Sequence, residues 1–171
     1  MRARAFLFVA AIGALAFTVG SSVATAQNDR SQRTRFMAHL SGFNEVPSRF
    51  SGGSGSFVAQ IDETAQTIAY RLSYANLDGT TVLFSHVHVG QVGVSGGVSF
   101  FLCGGGTAPA CPPAPATVTG TVMATDVLGP TTQGIAAGEF DKVVAAIRAG
   151  VTYANVHTDV APAGEIRGQL R

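Results

Sequence analysis

Short runs in which apolar and polar residues alternate recur along most of the chain. In the segment 35–40, every second residue is Phe36, Ala38 or Leu40, which is the pattern of a strand with one buried face. Glycine, proline, asparagine and aspartate separate such runs, as they do at turns. The pattern predicts seven or eight short strands, at 35–40, 57–61, 67–74, 82–89, 98–102, 117–124, 151–158 and 165–170.

One segment has a helical period instead. Within 138–150, Phe140, Val143, Val144 and Ile147 recur at i, i+3, i+4 and i+7, so they form one apolar stripe on a helix. Gly150 stands where a C-terminal cap favours glycine. Many short strands, turns rich in glycine and proline, and a single helix together predict a mainly β fold. We expect an antiparallel, Greek-key-like β-sandwich with one short α-helix.

The first 26 residues have the features of an export signal. Arg2 and Arg4 precede the uncharged apolar run 5–19, and Ala24-Thr25-Ala26 gives a small-x-small cleavage pattern. The run is shorter than the roughly 20 residues that a transmembrane anchor needs. The sequence therefore predicts a signal peptide at 1–26, a flexible lead-in at 27–34 and one domain at 35–171. We expect an extracytoplasmic protein, periplasmic or secreted, with no membrane span after cleavage.

Charge argues against two classes of partner. The formal net charge of the whole chain is +1, and removal of Arg2 and Arg4 with the signal peptide changes it to −1. A nearly neutral surface gives no electrostatic footprint for nucleic acid or for an anionic membrane. We therefore expect neither as a partner.

The two cysteines predict a structural crosslink. Cys103 and Cys111 flank a loop rich in glycine and proline, and an even pair in an oxidising compartment is typical of a disulfide. A redox-active pair usually has two intervening residues, whereas seven lie here. A loop this short stabilises the fold by about 2–3 kcal/mol in the chain-entropy interpretation.

Two histidines lie on the predicted strand 82–89. His86 and His88 point to the same face, which Val82 and Phe84 share. Because both faces of this strand are largely apolar, we expect an interior strand. An imidazole left unpaired in such a place costs roughly 1–3 kcal/mol. The candidate partners lie near the C-terminus, in 153–158 and 162–167.

Three motifs resemble those of the CHRD domain family and cover the chain from Phe36 to its end. They are Phe36-x-Ala38-x-Leu40-Ser41-Gly42-x-Asn44-Glu45-Val46-Pro47, His86-Val87-His88-x-Gly90, and Tyr153-x-Asn155-Val156-His157-Thr158 continuing through Pro162-x-Gly164-Glu165-Ile166-Arg167-Gly168-Gln169-Leu170. The resemblance implies an exported single domain. We expect a non-enzymatic binding or interaction module whose partner is an unknown protein or an envelope ligand. Fold alone does not extend this to the growth-factor antagonism of chordin, for which the family is named.

A metal site is the alternative function. Neighbouring strands lie about 4.8 Å apart, so His157 could join His86 and His88 as a third ligand for copper or zinc. Glu165 could complete the site or orient a histidine. The sequence favours a purely structural polar network over the metal site, with the histidines bonded to Glu165, Asn155 and backbone carbonyls. Arg167 could then reach carboxylates or carbonyls, and Glu45 could hold the first turn.

Catalytic schemes find little support in the sequence. The His-x-His pair is similar to that of copper–zinc superoxide dismutases, but their dinuclear site needs more histidines than the four present here. No Gly-x-Ser-x-Gly nucleophile elbow occurs. Glu45 and Glu165 would be the carboxylate pair of a glycosidase, yet the chain has no tryptophan to form a sugar platform. We therefore expect no enzymatic activity.

Overall fold

The computed structural model describes residues 32–171, which form a mainly β domain with one α-helix. The predicted signal peptide and the first part of the lead-in, 27–31, lie outside the described residues. The elements are β1 (Arg35–Ser41), β2 (Ser54–Asp62), β3 (Thr67–Ala75), β4 (Val82–Val89), β5 (Gly97–Cys103), β6 (Ala116–Met123), α1 (Phe140–Arg148), β7 (Thr152–Thr158) and β8 (Ala161–Gln169), with short 3-10 turns at Gly42–Asn44, Ala124–Asp126 and Thr131–Gln133.

All eight strands belong to one antiparallel sheet in the order β5-β4-β7-β8-β1-β2-β3-β6. The sheet rolls into a nearly closed, sandwich-like shape, because the strands at its two ends, β5 and β6, come into contact. The hydroxyl of Tyr70 on β3 donates a 2.6 Å hydrogen bond to the carbonyl oxygen of Leu102 on β5. The predicted fold class is confirmed.

The helix α1 contributes one face to the hydrophobic core. Its predicted stripe, Phe140, Val143, Val144 and Ile147, is buried and belongs to the same apolar cluster as the inward-facing strand residues. Gly150 ends the helix with a φ of +72°, and its N–H donates to the carbonyl of Ile147. This is the left-handed C-terminal cap that the sequence predicts.

The disulfide between Cys103 and Cys111 is confirmed, with the two Cα atoms 4.9 Å apart. It joins the end of β5 to the loop that leads to β6, so it fixes the strand that lies beside β4. Within residues 32–171, no helix has the length and apolar character needed to cross a bilayer.

Strand β4 is the interior strand that the sequence predicts, since it pairs with β5 on one side and with β7 on the other. The prediction that Val82 shares the histidine face is wrong, however. A register shift between Val82 and Phe84 interrupts the alternation, and Val82 packs in the hydrophobic core while Leu83 is partly exposed. A bulge of this kind adds one residue and reverses the facing of those before it.

Strand β8 begins earlier than expected. The sequence predicts a connection over 159–164, but the turn between β7 and β8 contains only Asp159 and Val160. Asp159 is fixed there by a hydrogen bond from its N–H to the carbonyl of Thr81 and by one from the hydroxyl of Thr80 to its carboxylate. Pro162 therefore lies within the strand, and its free carbonyl becomes available to a neighbour.

Candidate functional site

The candidate site is a block of polar and aromatic side chains on one face of three adjacent strands, β4, β7 and β8. Strand register sets its rows: His86 pairs with Asn155, and Asn155 pairs with Arg167. In the next row, His88 pairs with Tyr153, which pairs with Gln169; on the other side, Phe84 pairs with His157. The opposite face of the same strands carries core residues such as Val87 and Val156.

The three predicted histidines meet. One nitrogen from each of His86, His88 and His157 can be chosen so that all three atoms lie within 4.8 Å of one another. The ring centroid of His86 is 4.3 Å from that of His88 and 4.6 Å from that of His157. The expected convergence of residues separated by 69 positions in the chain, which needed β4 and β7 to be neighbours, is confirmed.

Two of the three rings have one nitrogen fixed by the backbone. The Nδ1 of His88 lies 2.8 Å from the carbonyl oxygen of Gly96, and the Nδ1 of His157 lies 3.0 Å from that of Pro162. A carbonyl oxygen only accepts hydrogen bonds, so each Nδ1 carries the proton and each Nε2 has a free lone pair. These backbone contacts are of the kind that orients metal-ligating histidines.

One nitrogen of each of the three rings has no hydrogen-bond partner among the described residues. The Nε2 atoms of His88 and His157 and the Nδ1 atom of His86 are buried and lack a hydrogen-bond partner among residues 32–171. A buried polar atom left unpaired costs about 1–3 kcal/mol, and three in one cluster form a concentration of unmet bonding capacity. Within residues 32–171, one nitrogen of each of the three rings is therefore left without a hydrogen-bond partner.

The imidazoles are held in their neutral form. Desolvation, together with the neighbouring His88 and His157, lowers the pKa of His86 to about 3. Burial also lowers the pKa of His157 to about 4, against the hydrogen bond to Pro162 that acts to raise it. The pKa of His88 is lowered chiefly by burial. Neutral imidazole is the form that binds a metal ion.

Aromatic rings surround the cluster. The Phe84 ring lies 4.5 Å from the ring of His157 and 5.3 Å from that of His86, and Phe101 on β5 meets His86 edge-on at 5.2 Å. The three histidines are each 8 % exposed or less. Two phenylalanine rings therefore form part of the walls of the cluster, and the burial of the histidines limits the access of water.

A column of stacked side chains links the cluster to Arg167. The Tyr153 ring stacks on His88 with a centroid distance of 4.6 Å and an angle of 9°, and the guanidinium carbon of Arg167 lies 3.3 Å from the Tyr153 centroid. Arg167 donates to the carbonyl oxygens of Gln91 and Val94, which confirms the expectation that it reaches carbonyls. This column places a fixed positive charge behind His88.

Asn155 lies between the histidines and Arg167, as the predicted polar network requires. Its side chain is 3 % exposed and counteracts the downward pKa shifts of both His86 and His88. Its Oδ1 has no hydrogen-bond partner within the described part of the chain. Asn155 is therefore a buried polar neighbour of His86 and His88.

Glu165 forms its hydrogen bonds with other residues and not with the histidines, so this part of the prediction is wrong. Its fully buried carboxylate accepts hydrogen bonds from the hydroxyls of Ser51 at 2.7 Å and Thr158 at 2.5 Å, and from the N–H groups of Asp78 and Gly79. Burial acts to raise the pKa of Glu165, but these four donors outweigh it and the net shift is downward. The carboxylate anchors the turn before β4.

Glu45 also lies apart from the histidines. It is 8 % exposed, and burial raises its pKa to about 7 although Arg167 and the N–H of Val46 act to lower it. Gly164 makes room for it, because a Cβ at that position would lie 2.7 Å from Oε1 of Glu45. Glu45 and Arg167 line an open groove of about 490 Å³, so Glu45 belongs to the polar network around Arg167.

Several contributors were not assigned a role from the sequence, although Tyr153 and Pro162 lie in the candidate ranges 153–158 and 162–167. Tyr153 supplies the stack, Phe101 supplies a wall, and Gly96 and Pro162 supply carbonyls. The backbone carbonyls carry no sequence signal. Tyr153 could have been found, since it stands at i and His157 at i+4 on a strand, where residues an even number apart share a face.

Comparison with known proteins identifies the family of this chain. The CHRD domain family model matches residues 36–170, a range that includes all three histidines and almost the whole described domain. No curated protein and no solved structure matches the chain significantly. From its motifs, its antiparallel sheet and this match, the chain belongs to the CHRD domain family.

Proposed function

We propose that this CHRD domain binds one copper or zinc ion through His86, His88 and His157, and that it is a non-enzymatic metal-binding protein acting outside the cytoplasm. The observation that carries the proposal is the set of three buried, unpartnered imidazole nitrogens. One metal ion bound to all three would satisfy each of them. Imidazole is a preferred ligand of both copper and zinc.

The hydrogen bonds on the far side of two rings strengthen this interpretation. Because Nδ1 of His88 and Nδ1 of His157 donate to backbone carbonyls, their Nε2 atoms are already oriented and unprotonated. Little reorganisation is needed on binding. A structural lock would instead direct the polar atoms to partners within the protein, as Glu165 does with its four donors.

Metal titration of the purified protein tests the proposal. We expect one equivalent of copper or zinc to bind, with a rise in thermal stability because the ion binds only the folded chain. His86→Ala should abolish binding. His39→Ala is the matched control, since His39 is exposed on β1 and lies outside the cluster. Absence of binding by copper and zinc at micromolar concentration would refute the proposal.

An interaction module remains the second candidate, and the groove beside Arg167 favours it. Phe43 in its lining is 65 % exposed, and Phe50, whose ring packs edge-on against Phe43, is 86 % exposed. Exposed aromatic side chains beside a groove are typical of contact surfaces. A pull-down from periplasm or culture medium, comparing the wild type with Phe43→Ser, tests it. Enrichment of no protein or envelope polymer by the wild type would refute this second role.

A further inference from the structure

Charge around the histidine cluster distinguishes between ions. No carboxylate joins the three imidazoles in the described residues, and the nearest acid along β8, Glu165, directs its oxygens to four other donors. A bound ion would thus have three neutral ligands and keep its full charge in a buried place. The cost of burying an ion grows with the square of its charge, which favours a monovalent ion over a divalent one.

The fixed cation beside the cluster acts in the same direction. The Arg167 guanidinium is 2 % exposed and is separated from His88 by the single ring of Tyr153. It repels any positive charge that His88 carries or binds, and the repulsion doubles for a dication. Glu45 offsets it incompletely, because burial raises the pKa of that carboxyl to about 7.

Coordination number separates the ions further. Zinc in structural sites is almost always four-coordinate and tetrahedral, and here the protein offers three nitrogens. The candidates for a fourth ligand are the amide oxygen of Asn155, which is not among the usual ligands of zinc, and water in a place bounded by Phe84 and Phe101. Monovalent copper has a filled d shell and is stable with three ligands, so the cluster meets its needs without water.

We propose that the ion held by His86, His88 and His157 is monovalent copper, bound by three imidazoles without a fourth protein ligand. This rests on the proposed function and names the ion that the same site takes. Binding requires no redox step, because the ion enters and leaves as Cu(I).

Competition between ions tests this. The disulfide-bonded protein is given Cu(I) under anaerobic conditions with ascorbate and bicinchoninate as the coloured competitor, and Zn(II) with a fluorescent zinc indicator. We expect one equivalent of Cu(I), retained against a tenfold excess of Zn(II), and a dissociation constant for Cu(I) at least 100-fold below those for Zn(II) and Cu(II). X-ray absorption should show three nitrogen neighbours.

The outcomes separate the two proposals. Equal or tighter binding of Zn(II) or Cu(II) would overturn the preference for Cu(I) while leaving a metal site in place. Binding of none of the three ions would overturn both. Arg167→Gln tests the charge argument directly: we expect the Zn(II) affinity to rise at least tenfold more than the Cu(I) affinity, with Arg167→Lys as the charge-retaining control. Equal changes for both ions in Arg167→Gln would contradict the role of Arg167.

Discussion

The Nδ1 of His157 donates a hydrogen bond to the carbonyl oxygen of Pro162, 3.0 Å away across the β7–β8 turn. The interaction exists because the turn is only two residues long, so that Pro162 lies within β8 and opposite the ring. It fixes the tautomer of His157 and leaves its Nε2 unprotonated. The position of a proline carbonyl thus determines which nitrogen is free to bind an ion.

The tautomers are directly measurable. At neutral pH we expect His157 and His88 to carry their proton on Nδ1, since each Nδ1 faces a carbonyl oxygen. Long-range 15N–1H NMR correlations report which ring nitrogen is protonated. On addition of the metal, the Nε2 resonances should shift and the Nδ1 protons should remain. Protonated Nε2 atoms in the metal-free protein would contradict the orientation described above.

Acid should destabilise the metal-free protein in a defined window. The folded-state pKa values of His86 and His157 are lowered to about 3 and about 4, whereas an unfolded histidine has a pKa of about 6.5. Below that value the unfolded state binds more protons, so stability is lost as the pH falls from about 6.5 towards 4. Each histidine contributes a slope of about 1.4 kcal/mol per pH unit.

Urea denaturation between pH 7.5 and pH 4.5 measures this loss. In the variant His157→Asn, the free energy of unfolding should change less steeply with pH, by the contribution of one proton. His39→Asn, at an exposed position, is the control and should keep the slope of the wild type. A stability that does not fall with acid in the wild type would mean that the cluster accepts protons when folded.

Local patterns in the sequence were sufficient to predict the existence of the strands and the helix and the convergence of the histidines. The bounds of β4, Val82–Val89, follow from its apolar character and the glycine that ends it. The convergence of His86 with His157 follows from placing two apolar strands side by side. Both follow from alternation, which short segments specify well, once β4 and β7 are taken to be neighbours.

The remaining features depend on groups that are remote in the chain or lie in the backbone. Glu165 bonds to Ser51, 114 positions away, and to the N–H of Asp78, 87 positions away. The bulge that turns Val82 into the core changes facing without a distinctive residue. Neither a loop carbonyl such as that of Gly96 nor a strand register is encoded in a local pattern, so the partners of each polar group could not be predicted.

Glu45 gives the opposite pH dependence to that of the histidines. Its folded-state pKa is raised to about 7 from 4.5, mainly by burial, so its contribution to stability is present below pH 4.5 and is lost as the pH rises towards 7. Glu45→Gln removes this loss. Relative to the wild type, the variant should gain stability of order 2 kcal/mol between pH 5 and pH 8, measured by urea denaturation.

A matched control for Glu45 is Glu63→Gln. Glu63 is an exposed carboxylate whose pKa is lowered by the hydrogen bond from Arg148, so its substitution should bring no gain over the same range. A Glu45→Gln variant whose stability relative to the wild type is constant from pH 5 to pH 8 would show that Glu45 titrates normally.

Glu165→Gln separates the polar network from the histidine cluster. The neutral amide weakens four hydrogen bonds to a fully buried group, and bonds to a charged acceptor contribute about 1.5–3 kcal/mol each. We expect a loss of about 2–4 kcal/mol in the free energy of unfolding. None of these four hydrogen bonds involves a histidine of the cluster. The metal affinity of the folded variant should therefore match that of the wild type. A folded Glu165→Gln protein with metal affinity reduced tenfold or more would show that Glu165 contributes to the metal site, as the sequence alone predicted.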